Sequence, residues 1–150
     1  MKIFISYKSD QYPEKVDELQ ARLELPSYRF QILRDKSFIK PGNFFDEAIE
    51  QQLRDSDIVL ILMTNNTLKS KWVMAELRFA FELNKPIIPI WLEEPNLNTL
   101  PFYVRYIEYL EMWNSELWEK GFEALVQQLN NQRQELRTTN HVSIPTSPPV

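Results

Sequence analysis

One acidic residue of this chain follows a large aromatic ring at helical spacing. Glu76 lies four residues after Trp72, and residues four apart share one face of a helix. A carboxylate beside an indole ring is suited to hold a sugar or a base. A core tryptophan beside a solvated glutamate gives the same spacing, so the pair needs support from the rest of the chain.

Two further segments combine side chains that suit ligand binding. Ser6, Tyr7 and Lys8 supply a hydroxyl, an aromatic ring and a cation in consecutive positions. Segment 35–45 contains a Pro-Gly pair followed by two adjacent phenylalanines, which cannot both face the core at helical spacing. For residues 6–8, the structural alternative is an ordinary strand-end loop. For segment 35–45, it is a helix start at which one phenylalanine packs in the core and the other covers the first turn.

Composition removes several classes of catalytic and metal site. The chain has no cysteine, and its single histidine, His141, lies in a polar stretch near the C-terminus. Thiolate nucleophiles, Cys-based zinc sites and Ser-His-Asp triads are therefore not expected. The chain has two glycines, which is too few for a glycine-rich phosphate cradle. We predict no metal site, because the acidic pairs are interpreted as solvated charges: Glu93 with Glu94, and Asp55 with Asp57.

Charge and hydropathy exclude two classes of partner. The formal net charge is −4, from 17 Lys and Arg against 21 Asp and Glu, whereas nucleic-acid binding calls for a basic face. The longest strictly apolar run, Ile58–Met63, has six residues, and a membrane-spanning helix needs about 20. The N-terminal residues contain no apolar signal segment. We expect a cytoplasmic protein that binds neither nucleic acid nor membrane.

Apolar patterning predicts strands that alternate with helices. Strands are predicted at 2–6, 28–33, 57–63, 86–92 and 106–110. Helices are predicted from Pro13 to a stop at Pro26, along an apolar stripe at 45–53, and at 71–84 and 116–137. The run at 57–63 is apolar on both faces, as central strands of parallel sheets are. Pro86 and Pro89 remove ladder donors and place the fourth strand at an edge or end of the sheet.

This alternation predicts the fold class and the place where function should sit. We predict an α/β, flavodoxin-like three-layer sandwich: a central parallel five-stranded sheet in order 2-1-3-4-5 with helices on both faces. Residues 1–137 form the domain, and 138–150, with three prolines, form a tail or linker to a missing partner domain. Ligands bind outside the carboxyl ends of parallel strands. Those ends are residues 6–8, 34–36, 64–66 and 93–94.

Five segments in order resemble the TIR (Toll/interleukin-1 receptor) domain family, most closely its bacterial members. The segments are Ile3–Tyr7, Arg34-Asp35 with Pro41-Gly42, Ser56–Leu62, Ser70–Leu77 and Lys85–Ile90. They are similar to the first box, the BB loop, the third strand, the S-x-W-C-x-x-E-L segment and the fourth strand of that family. The chain departs from the family at three places: Val73 replaces a cysteine, Phe44 or Phe45 replaces a tryptophan, and Met63-Thr64 replaces a serine strand end.

The resemblance implies an NAD+ glycohydrolase that cleaves the nicotinamide–ribose bond. Glu76 matches the family's catalytic glutamate. The resemblance also implies substrate binding by Ser6, Tyr7, Lys8, Asp35, Phe44 and Trp72. NAD+ is then the substrate, and no cofactor is expected. The product is ADP-ribose or a cyclic isomer, and Glu76 acts as nucleophile or as electrostatic stabiliser; the sequence leaves both pairs open.

The resemblance further implies activation by self-assembly. Pro41, Gly42 and Asn43 match the BB loop, through which TIR domains form homo-oligomers or filaments. A fused or associated sensor domain beyond the linker would then trigger immune signalling, in bacteria often against phage. One alternative is a non-catalytic TIR–TIR scaffold. Another is an enzyme similar to nucleoside deoxyribosyltransferases, which also use a glutamate at a glycosidic carbon.

Overall fold

The computed structural model describes residues 1–34, 47–100, 105 and 107–141, except for the side chains of residues 99, 140 and 141. The strands are β1 (Lys2–Ser6), β2 (Gln31–Leu33), β3 (Ile58–Met63), β4 (Ile87–Trp91) and β5 (Leu110–Glu111). The α-helices are α1 (Pro13–Leu23), α2 (Glu47–Asp55), α3 (Lys71–Glu82) and α4 (Ser115–His141). Short 3-10 turns occur at Thr67–Lys69 and Leu97–Thr99.

The five strands form one parallel sheet in the order β2-β1-β3-β4-β5. The predicted fold class and strand order are therefore confirmed. Side chains alternate between the two faces of a strand. On β1, Ile3 and Ile5 pack against α1 and α4, whereas Phe4 packs in a cluster with Ile49 of α2 and Ala80 of α3. Among the described elements, α1 and α4 thus pack on one face of the sheet, and α2 and α3 pack on the other.

Local apolar patterns account for the elements at the centre of the fold. All six residues of β3 are buried, as predicted for a central parallel strand. The stripe Val16, Leu19 and Leu23 places the buried face of α1 on the sheet. Pro13 begins α1, where the missing N–H of proline costs no helical hydrogen bond.

The prediction that β4 lies at an edge of the sheet is wrong, because β4 pairs with both β3 and β5. The prolines are tolerated because β5 is only two residues long and pairs with Ile90 and Trp91, after Pro89. Pro86 precedes the strand, and its carbonyl accepts a hydrogen bond from Val59 N at 2.9 Å. The strand β5 therefore pairs with β4 only after Pro89, which has no backbone N–H to donate.

Three element boundaries differ from the sequence prediction by three residues or more. β2 begins at Gln31 rather than residue 28, because Arg29 has φ 58° and a left-handed residue cannot continue an extended strand. β5 begins at Leu110 rather than residue 106. Helix α4 continues to His141, so the first four residues of the predicted tail are helical; residues 142–150 lie outside the described part. Among the described residues, no helix is both long and apolar enough to span a bilayer.

Candidate active site

Glu76 lies on the inward face of α3 and is fully buried, with 0% of its surface exposed. Helix α3 begins after Ser70, whose Oγ accepts a hydrogen bond from Val73 N at 3.4 Å. This N-cap satisfies one of the free donors of the first turn. Glu76 is the only acidic or basic side chain that is buried among the residues the structure describes.

The neighbours of Glu76 along α3 locate it against the sheet. Val73, one turn before it, and Leu77 pack in a cluster with Ile61 and Met63 of β3. Ala80, one turn after it, packs with Phe4 and Val59. Glu76 therefore lies over the carboxyl-terminal half of the central strands, within a largely apolar layer. Burial of a carboxylate in such surroundings is costly, and side chains retained at this cost are candidates for function.

Ser6 is brought to the same side of the sheet as Glu76. It is two residues after Phe4, so both side chains project toward α2 and α3. Ser6 is also the register partner of Ile61, which packs against the residues that flank Glu76. The Ser6 side chain is 1% exposed, and its Oγ has no hydrogen-bond partner within the described part of the chain.

Tyr7, in contrast, lies on the opposite face of the sheet. Its ring packs against the cluster that contains α1 and α4. Its hydroxyl accepts a hydrogen bond from Arg34 Nη2 at 3.1 Å, and Arg34 Nη1 also bonds to Asp17 at 2.9 Å. Burial lowers the pKa of Arg34, but the bonds to Tyr7 and Asp17 outweigh it and raise the pKa above its ordinary value. The structure does not bring Tyr7 together with Glu76.

Trp72 and Lys8 lie nearer to solvent. Trp72 is half-buried in the first turn of α3, one turn from Glu76. Lys8 follows the end of β1, and its ammonium donates a hydrogen bond to Asp10 Oδ2 at 3.1 Å. This contact lowers the pKa of the Asp10 carboxyl. Lys8 therefore already has an exposed anionic partner, which a phosphate would have to displace.

A buried threonine network holds the loop after β3, which leads into α3. The backbone N–H of Thr64 donates to Thr67 Oγ1 at 2.6 Å, and Thr64 Oγ1 donates to Gln11 Oε1. Thr67 Oγ1 also contacts the carbonyl of Leu62 at 3.3 Å. Because Gln11 belongs to the loop after β1, the network joins the two central strand ends.

Glu93 joins the same two loops from the end of β4. Its Oε2 accepts a hydrogen bond from the Tyr12 hydroxyl at 2.9 Å, and its Oε1 accepts one from the backbone N–H of Asn65. Tyr12 has φ 49°, a left-handed conformation that is unusual for a bulky residue. The interpretation of Glu93 as a solvated charge is therefore wrong. Tyr12 and Glu93 are 81 residues apart, so no sequence pattern signalled their contact.

Asp57, from the other acidic pair, is also structural rather than simply solvated, since its Oδ2 accepts a hydrogen bond from Lys2 N at 2.7 Å. Five of the predicted site residues lie outside the described residues: Asp35, Pro41, Gly42, Asn43 and Phe44. Across the described ranges, no three His, Asp or Glu side chains form a group that could hold a metal ion.

The sequence matches a known family model over most of its length. The family model described as "TIR domain" matches residues 3–126, which include Glu76, β1 except for Lys2, and most of the apolar face of α4. In contrast, no curated protein matches the chain in sequence.

Solved structures share the fold at low sequence identity. The TIR domain of the Toll-related receptor TRR-2 from Hydra magnipapillata superimposes with a TM-score of 0.68 at 20% identity, covering 85% of this chain and 97% of that one. The TIR domains of the activated Roq1 resistosome, which recognises the effector XopQ, give 0.63 at 13% identity, covering 87% and 97%. A CMP N-glycosidase from Clostridium botulinum, BcmB, gives 0.58 at 15%, covering 87% and 98%.

Proposed function

Because this chain belongs to the TIR domain family, we propose that it is an NAD+ glycohydrolase whose catalytic residue is Glu76. The observation that carries the proposal is the burial of this carboxylate over the carboxyl-terminal half of the sheet. Ligands of parallel α/β folds bind outside the carboxyl ends of the strands, toward which Val73 and Leu77, the neighbours of Glu76, pack on Ile61 and Met63. The CMP N-glycosidase of similar fold acts, by its name, on an N-glycosidic bond, which is the class of bond proposed here.

The reaction needs few functional groups. Nicotinamide is attached to ribose through a cationic nitrogen, and it departs as a neutral molecule with the bonding electrons, so no general acid is required. Positive charge then develops at the ribose C1′, as in glycoside hydrolysis. Water attack at C1′, with loss of a proton, gives ADP-ribose, whereas attack by an adenine nitrogen gives a cyclic isomer. The reaction therefore needs no histidine, and the one histidine of this chain, His141, is not required for it.

The surroundings of Glu76 favour this chemistry. A carboxylate interacts more strongly with a nearby cation in a low-dielectric site than in water. Glu76 would stabilise the developing ribosyl cation or trap it covalently. The Ser6 hydroxyl, with its oxygen buried on the same side of the sheet, would bond a ribose hydroxyl, and Trp72 would exclude water. Tyr7, which lies on the other face of the sheet and is bonded to Arg34, is not assigned a stacking role on the substrate.

The burial of Glu76 also supports activation by assembly. A side chain with 0% exposure cannot meet a dinucleotide until neighbouring segments open. We propose that contact between TIR domains, through segment 41–43, stabilises the open state, and that this occurs in an immune response. The free energy of assembly would thereby be coupled to exposure of the catalytic carboxylate.

The test is nicotinamide release from NAD+ by concentrated protein, followed by chromatography, with two matched variants. Glu76→Gln removes the carboxylate charge but keeps its shape. Glu82→Gln makes the same change at an exposed position of the same helix, where Glu82 contacts Arg78 at 3.6 Å. We expect Glu76→Gln to lower the rate about 100-fold or more, and Glu82→Gln to leave it within about twofold of wild type.

Two results would reject the assignment. One is a folded Glu76→Gln protein, with an unchanged thermal transition, that releases nicotinamide as fast as wild type. The other is a wild-type protein that assembles, by light scattering, and still consumes no NAD+, which would indicate a scaffold. If release does depend on Glu76, the second product peak identifies ADP-ribose or a cyclic isomer.

A further inference from the structure

A concave surface of about 340 Å³ lies at the amino-terminal edge of the sheet, away from the strand ends near Glu76. We call it the arginine cavity. Its lining consists of Met1, Arg29, Asp57, Arg133, Leu136 and Arg137. Three arginines and one aspartate therefore line the same surface, although the chain as a whole carries a net charge of −4.

Arg133, one of the lining residues, is fixed by contacts with the segment before β2. Its Nη2 donates hydrogen bonds to the carbonyls of Tyr28 at 2.6 Å and Arg29 at 3.2 Å. Its guanidinium lies 4.4 Å from the ring centroid of Phe30. The Arg133 Nε is buried and has no hydrogen-bond partner among the described residues. Two backbone carbonyls and an aromatic ring thus hold the cation in place before any ligand arrives.

Arg29 is presented by an unusual backbone conformation. Its φ of 58° is left-handed, which is unfavourable for a residue that is not glycine. The bond from Arg133 to the Arg29 carbonyl helps to hold this conformation. The same contact holds Arg29 next to Arg133, so two positively charged residues lie side by side at the turn before β2.

Among the described residues, Asp57 is the one acid in the lining of the cavity, so the positive charge there is only partly balanced. Among the described residues, no ion pair links Arg29, Arg133 or Arg137 to an acid. Asp57 already accepts a hydrogen bond from Lys2 N. Residues 138–150 contain no Asp or Glu. Burial lowers the pKa of Arg133, and the positive charges of Arg137 and Arg29 lower it further, which is the mark of mutual repulsion.

We propose that the arginine cavity binds the phosphate groups of a small molecule that carries a diphosphate. Guanidinium groups bond phosphate oxygens in pairs, with a geometry that carboxamides and ammonium groups do not match. The volume of the cavity lies within the usual range for small-molecule sites. None of its six lining residues is aromatic, so the diphosphate, rather than a stacked base, is the recognised group. This site is separate from Glu76 and does not depend on the proposed NAD+ cleavage.

The first experiment is titration calorimetry of the whole chain with inorganic pyrophosphate, ADP and adenosine, at low and at physiological salt. We expect saturable binding of pyrophosphate and ADP with a Kd of about 1 mM or tighter, weaker at higher salt, and no binding of adenosine. A Kd for ADP well below that for pyrophosphate would assign the site to a nucleotide. Similar values would assign it to the free diphosphate.

Matched variants separate this site from the general charge of the protein. Arg29→Gln and Arg137→Gln remove exposed guanidiniums of the cavity, and each should weaken binding about tenfold or more. Arg78→Gln makes the same charge change on the outer surface of α3, where Arg78 is 84% exposed, and should leave the Kd unchanged. Asp57→Asn keeps the oxygen that accepts from Lys2 N and removes a negative charge, so it should tighten binding.

Three outcomes would overturn the proposal. They are the absence of saturable binding to wild type, binding of adenosine as tight as that of ADP, and equal weakening by Arg78→Gln and Arg137→Gln. Circular dichroism melts of each variant establish that the compared proteins are folded. Arg133 is left unchanged in these tests because its bonds to the Tyr28 and Arg29 carbonyls also hold the fold.

Discussion

At the scale of single residues, the contact between Tyr12 and Glu93 shows how a polar side chain becomes structural through a distant partner. The Tyr12 hydroxyl donates to Glu93 Oε2 at 2.9 Å, and Lys15 lies 4.4 Å from the centroid of the same ring. Lys15 in turn donates to the carbonyl of Leu92 at 3.0 Å. These contacts fix the loop between β1 and α1 against the end of β4.

The pH dependence of this contact follows from the direction of the pKa shift. The bond to Glu93, and secondarily burial, raise the pKa of Tyr12 above its ordinary value of 10.0. The folded state therefore favours the protonated phenol. The stabilisation is fully present below pH 10 and is lost as the pH rises through the raised pKa.

We expect Tyr12→Phe to lower the free energy of unfolding by about 0.5–1 kcal/mol near pH 8, because the lost bond is partly exposed. The difference between variant and wild type should shrink above pH 10, where the wild-type phenol ionises. Urea unfolding at several pH values measures both quantities. Tyr109→Phe, at a tyrosine for which no hydroxyl bond is among the described contacts, is the matched control. A difference that grows with pH would contradict this assignment.

At the scale of elements, the packing of α4 on β5 depends on the absence of a side chain at Gly121. A Cβ at this position would meet the Met112 side chain and would lie 2.7 Å from the carbonyl oxygen of Glu111. Met112 is fully buried, and its backbone N–H donates to the Trp91 carbonyl at 2.8 Å. Any shift of Met112 or Glu111 therefore reaches β4 through the two-residue strand β5.

We expect Gly121→Ala to destabilise the protein by about 1–2 kcal/mol. The gain in helix propensity is about 1 kcal/mol, but overpacking against rigid backbone costs about 1–3 kcal/mol or more. Urea unfolding measures the change. Gln127→Ala, at an exposed position of the same helix, should change stability by less than about 0.5 kcal/mol. A stabilised Gly121→Ala protein would mean that β5 yields to the added methyl group.

Elements with strong local patterns were predicted with nearly correct bounds, whereas β2 and β5 were predicted as strands but with the wrong first residue. The stripe of α1 and the apolar run of β3 carry their own periodicity, so the alternation of elements and the strand order followed from them. β5 consists of the two residues that pair with Ile90 and Trp91 of β4, so its first residue depends on a partner strand rather than on its own pattern. The loss of strand at residues 28–30 depends on a left-handed Arg29, which the sequence does not signal.

In the candidate site too, some features could be predicted from local patterns, whereas others depend on contacts between distant residues. Glu76 was predicted from its spacing to Trp72 and from the family resemblance, and the structure gives its burial. The placement of Tyr7 on the opposite face from Ser6 follows from strand alternation alone. The bond from Tyr12 to Glu93 required the complete topology, since it joins loops that follow β1 and β4.

At the scale of the whole molecule, the two ends of the sheet carry different kinds of polar group. The carboxyl-terminal end has the buried Glu76 and hydrogen-bonded loops, whereas the amino-terminal end has the arginine cavity. The two ends are joined through the apolar core of β1 and β3. The molecule thus separates a proposed reaction site from a proposed anion site.

Because Glu76 is buried, we expect the specific activity to depend on protein concentration. If the isolated domain keeps this carboxylate closed and contacts between domains favour an open state, then assembly raises the active fraction. Nicotinamide release per molecule should therefore rise with protein concentration, in parallel with the oligomer population measured by sedimentation. Molecular crowding should shift both curves together.

Asn43→Glu tests the segment predicted to mediate assembly, since it places a charge in that contact. We expect this variant to reach the same specific activity only at a protein concentration that is about tenfold higher or more. Asn130→Glu makes the same change at an exposed position of α4 and should follow the wild-type curve. If the wild-type specific activity stays constant while the protein is monomeric, catalysis does not depend on assembly. Glu76 would then have to open within a single domain, and hydrogen exchange in α3 would report that opening.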